Sequence, residues 1–235
     1  MLVLENIVEL DGVSKKYVGQ QALNNASLAL PGGKIVGLVG PNGSGKSTML
    51  KIMAGLVHPG GGSVKVNGKK VTRRSAAEVA YMSELDILYP FYTVEETLLF
   101  NAGLFPDFDL AKAREMLVSM QLEPGKKVKA LSKGNRGRLK IVLVLARDVP
   151  LVLMDEPLSG LDPMVRDAII KSLISYLNLA RQTVIMSTHE VAEVEPILDT
   201  VVAMRNGRIC GMAEVEDIRG VHGLSLVEWM KRGIG

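Results

Sequence analysis

Gly40-Pro41-Asn42-Gly43-Ser44-Gly45-Lys46-Ser47-Thr48 fits the pattern G-x-x-x-x-G-K-[S/T], with an apolar run, Lys34-Ile-Val-Gly-Leu-Val39, before it and a helical pattern after it. A strand, a glycine-rich loop and a helix in that order are what a phosphate-binding loop requires. The three glycines let backbone N–H groups converge on a β-phosphate, and the following helix presents its positive N-terminus to the same anion. Lys46 then reaches the β/γ oxygens and Ser47 ligates Mg²⁺. A mere turn would not explain why all three elements coincide, so the stretch predicts a nucleoside triphosphate ligand.

Composition narrows the class. A chain of 235 residues with 47% hydrophobic content has room for a substantial core in one large domain or two small ones. The net charge of +3, from 28 basic and 25 acidic residues, does not argue for nucleic acid as the main partner. One cysteine, Cys210, excludes an internal disulfide and carries no metal-ligand pattern, so a reducing compartment is expected and the side chain reads as buried or half-buried. Met1 to Leu10 holds two carboxylates and no basic residue, unlike a secretory signal. Aliphatic runs such as Ile141 to Ala146 reach about a third of the roughly 18 residues that suggest a membrane span. A cytoplasmic protein follows, with any membrane role peripheral.

Residues 7–36 alternate short apolar runs with turn residues and read as β-structure. Tyr17 lies there, and its position alone leaves open whether it stacks on a base or is an ordinary sheet aromatic. Downstream of Lys46, the spacing of Leu50, Met53 and Val57 predicts a helix stopped by His58-Pro-Gly-Gly-Gly62. A hairpin turning at Asn67-Gly68 follows. From about residue 85 the pattern becomes helical. Thr93-Val-Glu-Glu96 is a capping box that opens a helix through Phe100, and Asp109 caps a second helix with Leu110, Ala113, Leu117 and Met120 on one face. A third pattern, Leu139, Val142, Leu143 and Ala146, starts after Leu131-Ser-Lys-Gly-Asn135, while Lys126, Lys127 and Lys129 read as a solvated face.

Sheet character returns at Leu151-Val-Leu-Met-Asp-Glu156, a buried strand that delivers two carboxylates at its C-terminal end, where ligands of open α/β sheets bind. Asp155 can hold Mg²⁺ and Glu156 can polarise the attacking water. Asp162 and Pro163 fit N-cap and first helical position of a helix that buries Val165, Ile169, Leu173 and Leu177. A further strand, Thr183-Val-Ile-Met186, ends at Ser187-Thr-His189. His189 is thereby a candidate γ-phosphate sensor against the plainer reading of a structural histidine. A hairpin at Asn206-Gly207 and a short tail with Trp229 close the chain.

The ordered set Tyr17, Gly40 to Thr48, Leu131-Ser-Lys-Gly-Asn135, Leu153-Met-Asp-Glu156, Ser159-Gly-Leu-Asp162 and His189 resembles the nucleotide-binding subunit of an ATP-binding cassette (ABC) transporter, over almost the whole chain. The resemblance implies an α/β fold: a P-loop NTPase core of mixed sheet flanked by helices, with an N-terminal antiparallel β subdomain, and an α-helical subdomain inserted at roughly 85–147 in a single domain over 1–235. ATP and Mg²⁺ are the implied cofactors. Gly40, Pro41, Asn42, Gly43, Ser44, Gly45, Lys46, Ser47 and Thr48 would hold the phosphates and Tyr17 would stack on adenine. Ser47, Glu84 and Asp155 would serve the metal, and Glu156, His189 and Lys46 would carry the chemistry. Asp162 would cross a dimer interface, and Ser132 and Gly134 would touch the nucleotide of the opposite subunit.

One phosphate loop, one signature-like segment and no internal repeat cannot assemble such a site within one chain, so two chains are expected to meet head to tail. An integral membrane subunit would receive the work at the segment from Glu84 to Phe105, and no direct nucleic acid partner is expected. Two motifs depart from the family pattern. Glu84, in Tyr81-Met-Ser-Glu84, replaces the usual glutamine and while ionised cannot donate a hydrogen bond. The signature reads Leu-Ser-Lys-Gly-Asn in place of Leu-Ser-Gly-Gly-Gln, and Lys133 adds positive charge near an incoming phosphate. Both are similar to the branch that serves exporters of the ABC-2 type. The alternatives fit less well. A non-transport cassette ATPase acting on DNA or ribosomes would carry a long coiled coil or a second cassette, and a GTPase would carry an Asn-Lys-x-Asp motif.

Overall fold

The computed structural model describes residues 6–220 and 223–234, so Met1 to Glu5 of the N-terminal reading lie outside the described residues. The chain opens with β1 (Asn6–Tyr17) and β2 (Gln20–Pro31), then β3 (Ile35–Val39) and α1 (Lys46–Met53). β4 (Gly61–Val66), β5 (Lys69–Lys70) and β6 (Val79–Met82) follow. Next come α2 (Val94–Leu104), α3 (Leu110–Ser119) and α4 (Lys133–Leu145). The remainder is β7 (Leu151–Asp155), α5 (Pro163–Tyr176), β8 (Thr183–Thr188), α6 (Val191–Val194), β9 (Thr200–Arg205), β10 (Arg208–Glu214), α7 (Val215–Gly220) and α8 (Leu226–Ile234).

Two sheets result: an antiparallel one in the order β2-β1-β4-β5 and a six-stranded one in the order β10-β9-β3-β8-β7-β6. In the second, all pairings but β10 with β9 are parallel. Apart from the edge strand β10, its strands are buried on both faces, as a covered parallel sheet requires. The two-residue alternation deals the side chains to two cores. Val36, Leu38, Leu151, Leu153, Ile185 and Val202 face a core shared with α1 and the antiparallel sheet. Ile35, Val39, Val152, Met154, Val184 and Val201 face a core shared with the helices on the other side. With α2, α3 and α4 inserted between β6 and β7, the fold is a P-loop NTPase α/β core carrying a helical insert.

The predicted local signals are present at Thr93 and Glu96, at Asp109, and at Asp162 with Pro163, each capping its helix. Four boundaries and one burial differ. α1 ends at Met53, leaving Val57 outside, because Gly55 takes φ 73° and the N–H groups of Gly55 and Leu56 close back on the carbonyls of Ile52 and Lys51. A Cβ at Gly55 would collide with the Thr72 carbonyl, so this glycine and not the later Pro59 sets the stop. α2 runs past Phe100 to Leu104, since nothing between them breaks it. α4 begins at Lys133 because the Ser132 hydroxyl accepts from the Asn135 N–H and caps it. Leu177 is the half-buried cap after α5, not part of its buried face. Cys210 is exposed, because it sits in edge strand β10 on the outward side of the alternation.

Candidate functional site

Parallel register brings the functional strand ends to one edge. Val39 pairs with Thr188 and Asp155 with Ser187, so the phosphate loop, the two carboxylates and the segment to His189 emerge side by side. The loop turns through Gly40, Gly43 and Gly45 at φ 155°, 78° and 105°. It is braced from behind by the second predicted hairpin, for the Gly207 N–H donates to the Ser44 carbonyl at 3.0 Å and the Asn24 N–H donates to the Gly207 carbonyl at 2.8 Å. Ser44 Oγ is buried with no hydrogen-bond partner among the described residues. A hydroxyl left bare inside a loop of this kind fits an anion as its missing partner.

A cavity of about 590 Å³ opens beside the loop, lined by residues 42–48 with Tyr17, Gln20, Ala22, Glu84, Glu156, Ser159 and His189. Gly40 and Pro41 stand behind this wall, and both offer their carbonyls to Lys46 Nζ, at 2.8 and 3.4 Å. Lys46 Nζ also lies 3.4 Å from Glu156 Oε1, with both side chains buried. His189 Nδ1 lies 2.9 Å from Glu156 Oε2, a bond that the Nδ1–H tautomer donates. Glu156 itself sits at φ 48°, a left-handed conformation that costs a non-glycine residue of order 1 kcal/mol. The Ser187 hydroxyl holds it there by accepting from the Glu156 N–H at 2.9 Å.

Asp155 is the hub of the floor. Its carboxylate accepts from Ser47 Oγ at 2.8 Å, from Ser187 Oγ at 2.8 Å and from Tyr81 OH at 3.2 Å. Burial first, and then the charge of Asp155, raises the Tyr81 phenol far above its ordinary range, so it stays a donor at any working pH. Sequence alone does not mark Ser187 and Tyr81 as site residues. For Ser187 a signal existed: a hydroxyl in an otherwise apolar buried strand needs a partner. For Tyr81 none existed before β6 was known to lie beside β7.

Tyr17 is 44% exposed at the end of β1, with Lys15 Nζ 5.4 Å from its ring centre, and it is one of the residues that line the cavity. Glu84 lines the same cavity and its carboxylate makes no hydrogen bond or salt bridge among the described residues, while its carbonyl accepts from Lys140 Nζ at 3.1 Å. Burial lowers the Lys140 pKa against the opposing pull of Asp86 and Glu84. Ser132, Gly134 and Asp162 are not brought to this cavity. Ser132 and Asp162 are exposed helix caps, and Gly134 packs beside Val165. No cluster of three or more His, Cys, Asp or Glu side chains could hold a metal among the described residues. One hydroxyl and one carboxylate side by side, Ser47 and Asp155, fit Mg²⁺, which keeps waters and takes phosphate oxygens for its other positions.

The family model described as ABC transporter matches residues 23–159. The chain belongs to the ABC transporter family. It is 33% identical over 91% of its length to the uncharacterized ABC transporter ATP-binding protein YcbN of Bacillus subtilis, covering 71% of that protein. The probable sulfate/thiosulfate import ATP-binding protein CysA of Chlorella vulgaris is 30% identical over 89% of this chain and 92% of its own. The Nod factor export ATP-binding protein I of Burkholderia orbicola is 33% identical over 86% and 68%. Among solved structures, an ATP-binding subunit of an ABC transporter superposes with a TM-score of 0.84 at 29% identity, covering 97% of this chain and 100% of that one. The dimeric post-hydrolysis cassette MJ0796 bound to ADP and Pi gives 0.77 at 25% identity over 88% and 98%. This chain is accordingly an ABC transporter ATP-binding subunit with ATPase activity, and no helix among the described residues is long and apolar enough to cross a membrane.

Proposed function

We propose that this subunit drives export by closing head to tail on a second cassette chain around two Mg-ATP, and that a separate membrane subunit converts the closure into transport. The observation that carries the reading is the incompleteness of the phosphate cavity: Ser132 and Asp162 stand exposed at the N-termini of α4 and α5, outside the cavity. A second chain would bring its own Ser132, Gly134 and Asp162 to the open side. Within each site residues 40–48 hold the phosphates, and Ser44 Oγ gains the partner it lacks. Ser47, Asp155 and Glu84 serve the metal, which when bound neutralises phosphate charge and orients the nucleotide. Lys46 moves from the Gly40 and Pro41 carbonyls and from Glu156 onto the β/γ oxygens. That frees the Glu156 carboxylate to polarise water while His189 meets the γ-phosphate. Tyr17 stacks on the base. Export is favoured by Glu84 and Lys133, in which this chain is similar to the ABC-2 branch.

The membrane partner has a matching surface. An apolar groove of about 420 Å³ between β6, α2 and α4 is lined by Met82, Leu88, Tyr89, Phe100, Phe105 and Leu143. Ile87 in its wall and Leu85 beside it, each 67% exposed, and Phe91, at 60%, add to this apolar surface, with ring centres 5.6 Å apart for Tyr89 and Phe91 and 5.4 Å for Tyr89 and Phe100. So much clustered apolar surface fits a short amphipathic helix from the cytoplasmic side of a membrane protein. The test is purification of the chain from membranes. One integral protein is expected to accompany it and to be lost with Phe91→Asp, while the free variant still binds ATP. Recovery with ribosomes or DNA alone overturns the transporter coupling, and a partner indifferent to Phe91→Asp overturns the groove.

A further inference from the structure

The charge of the phosphate cavity is out of balance. Glu84, Glu156 and Asp155 bring three carboxylates to the floor and wall, against the single ammonium of Lys46. A triphosphate must enter that surplus, and even with a divalent metal the carboxylate at Glu84 leaves one negative charge more than a neutral amide would. A compensating cation is expected somewhere along the closing surface.

Behind Glu84 and Glu156 lies a second cavity of about 310 Å³, which shares those two residues and Ser159 with the first. Three cations line it. Arg136 is held by Asp86 at 2.7 Å, and Lys140 by the carbonyls of Glu84 and Leu85 at 3.1 and 3.2 Å. Lys133 is different: it is exposed and makes no hydrogen bond or salt bridge among the described residues. Its side chain lies back across Gly160, which takes φ 65° and whose missing Cβ leaves the seat that the ammonium fills. A side chain at 160 would push Lys133 Nζ out of this seat. An unpaired ammonium parked on a bare backbone has little to hold it, and it is the first residue of α4, between Ser132 and Gly134.

We propose that Lys133 is a phosphate-directed cation supplied in trans: it leaves Gly160 when two chains close and offsets, in the partner's site, the charge that Glu84 adds there. This rests on the head-to-tail reading above. A charge-assisted contact of this kind is worth roughly tenfold in affinity, and a symmetric pair contains two, so the loss of both amounts to about a hundredfold.

The test uses the full chain in a Glu156→Gln background with Mg-ATP, following pairing by sedimentation and ATP affinity of the dilute monomer by equilibrium dialysis. Lys133→Met is expected to weaken pairing about a hundredfold and to flatten its dependence on salt, leaving monomer affinity within about twofold, whereas Lys133→Arg pairs within a few-fold of the background. Adding Glu84→Gln to Lys133→Met should recover part of the loss, which a purely structural lysine would not allow. Pairing of Lys133→Met equal to the background overturns the proposal alone, as does an equal fall in monomer affinity or no recovery with Glu84→Gln. Failure of the Glu156→Gln background to pair with ATP overturns the head-to-tail reading and the proposal with it.

Discussion

Replacing Ser187 with alanine removes one oxygen that serves two neighbours. Ser187 Oγ is wholly buried, donates to Asp155 Oδ1 at 2.8 Å and accepts from the Glu156 N–H at 2.9 Å. Loss of a hydrogen bond to an ionised carboxylate costs about 1.5–3 kcal/mol, and a buried N–H left without a partner about 1–3 kcal/mol. Asp155 keeps the Ser47 and Tyr81 donors, so the two costs do not add in full. A net destabilisation of about 2–4 kcal/mol follows, seen in urea as a lower midpoint with unchanged slope, and in heating as a Tm lower by roughly 5–12 °C. The same change releases Glu156 from the bond that helps keep it at φ 48°, so ATP turnover should fall at least about tenfold even in the fraction that remains folded. Unfolding within about 0.5 kcal/mol of the parent, together with parental turnover, would falsify the claim that Ser187 sets the geometry of both carboxylates.

Glu156→Gln should bind ATP, hydrolyse it barely and accumulate as a pair; turnover at the parental rate removes Glu156 from the water-polarising role. Ser132→Trp should abolish ATPase activity while the isolated monomer still binds ATP, and a collapse of monomer affinity would place Ser132 in its own chain's site. Tyr17→Ala should weaken ATP binding by about tenfold, the value of one stacked base, with little change in Tm because the ring is 44% exposed; a lower Tm with parental affinity makes it a sheet aromatic. Tyr81→Phe reports through pH. The phenol is raised in the folded protein, so its contribution to stability is complete below the ordinary value of 10.0 and is lost as pH climbs above it. The variant should lack that alkaline decline, and matching profiles of variant and parent above pH 10 would refute the contact with Asp155.

What could be read from sequence was whatever is decided within a few residues. The phosphate loop, the box at Thr93 and Glu96, the cap at Asp162 and the turn at Asn206-Gly207 each carry their reason locally, in a backbone angle or an N–H to be satisfied. The misread boundaries are local as well, but their signals were weaker than the neighbours that masked them. Pro59 is a louder stop than Gly55, yet Gly55 comes first and closes on Lys51. Ser132 belongs to a motif, and that membership masks its plain duty as the cap of α4.

The floor of the site lay beyond such reading for a different reason. Tyr81, Asp155 and Ser187 are far apart in the chain and meet only because β6, β7 and β8 run parallel in one register. Each alone has an ordinary explanation: an aromatic in a strand, an acid at a strand end, a hydroxyl near a turn. Placed together they leave Asp155 with three donors and Glu156 with a fixed N–H, and the two carboxylates become different in kind. Asp155 is pinned by neutral groups that a metal can replace one at a time. Glu156 is held by Lys46 and His189, two groups that a γ-phosphate would attract away in the proposed reading. Under the proposed function, nucleotide binding would free the Glu156 carboxylate by the same movement that grips the phosphate, whereas here Lys46 and His189 engage it.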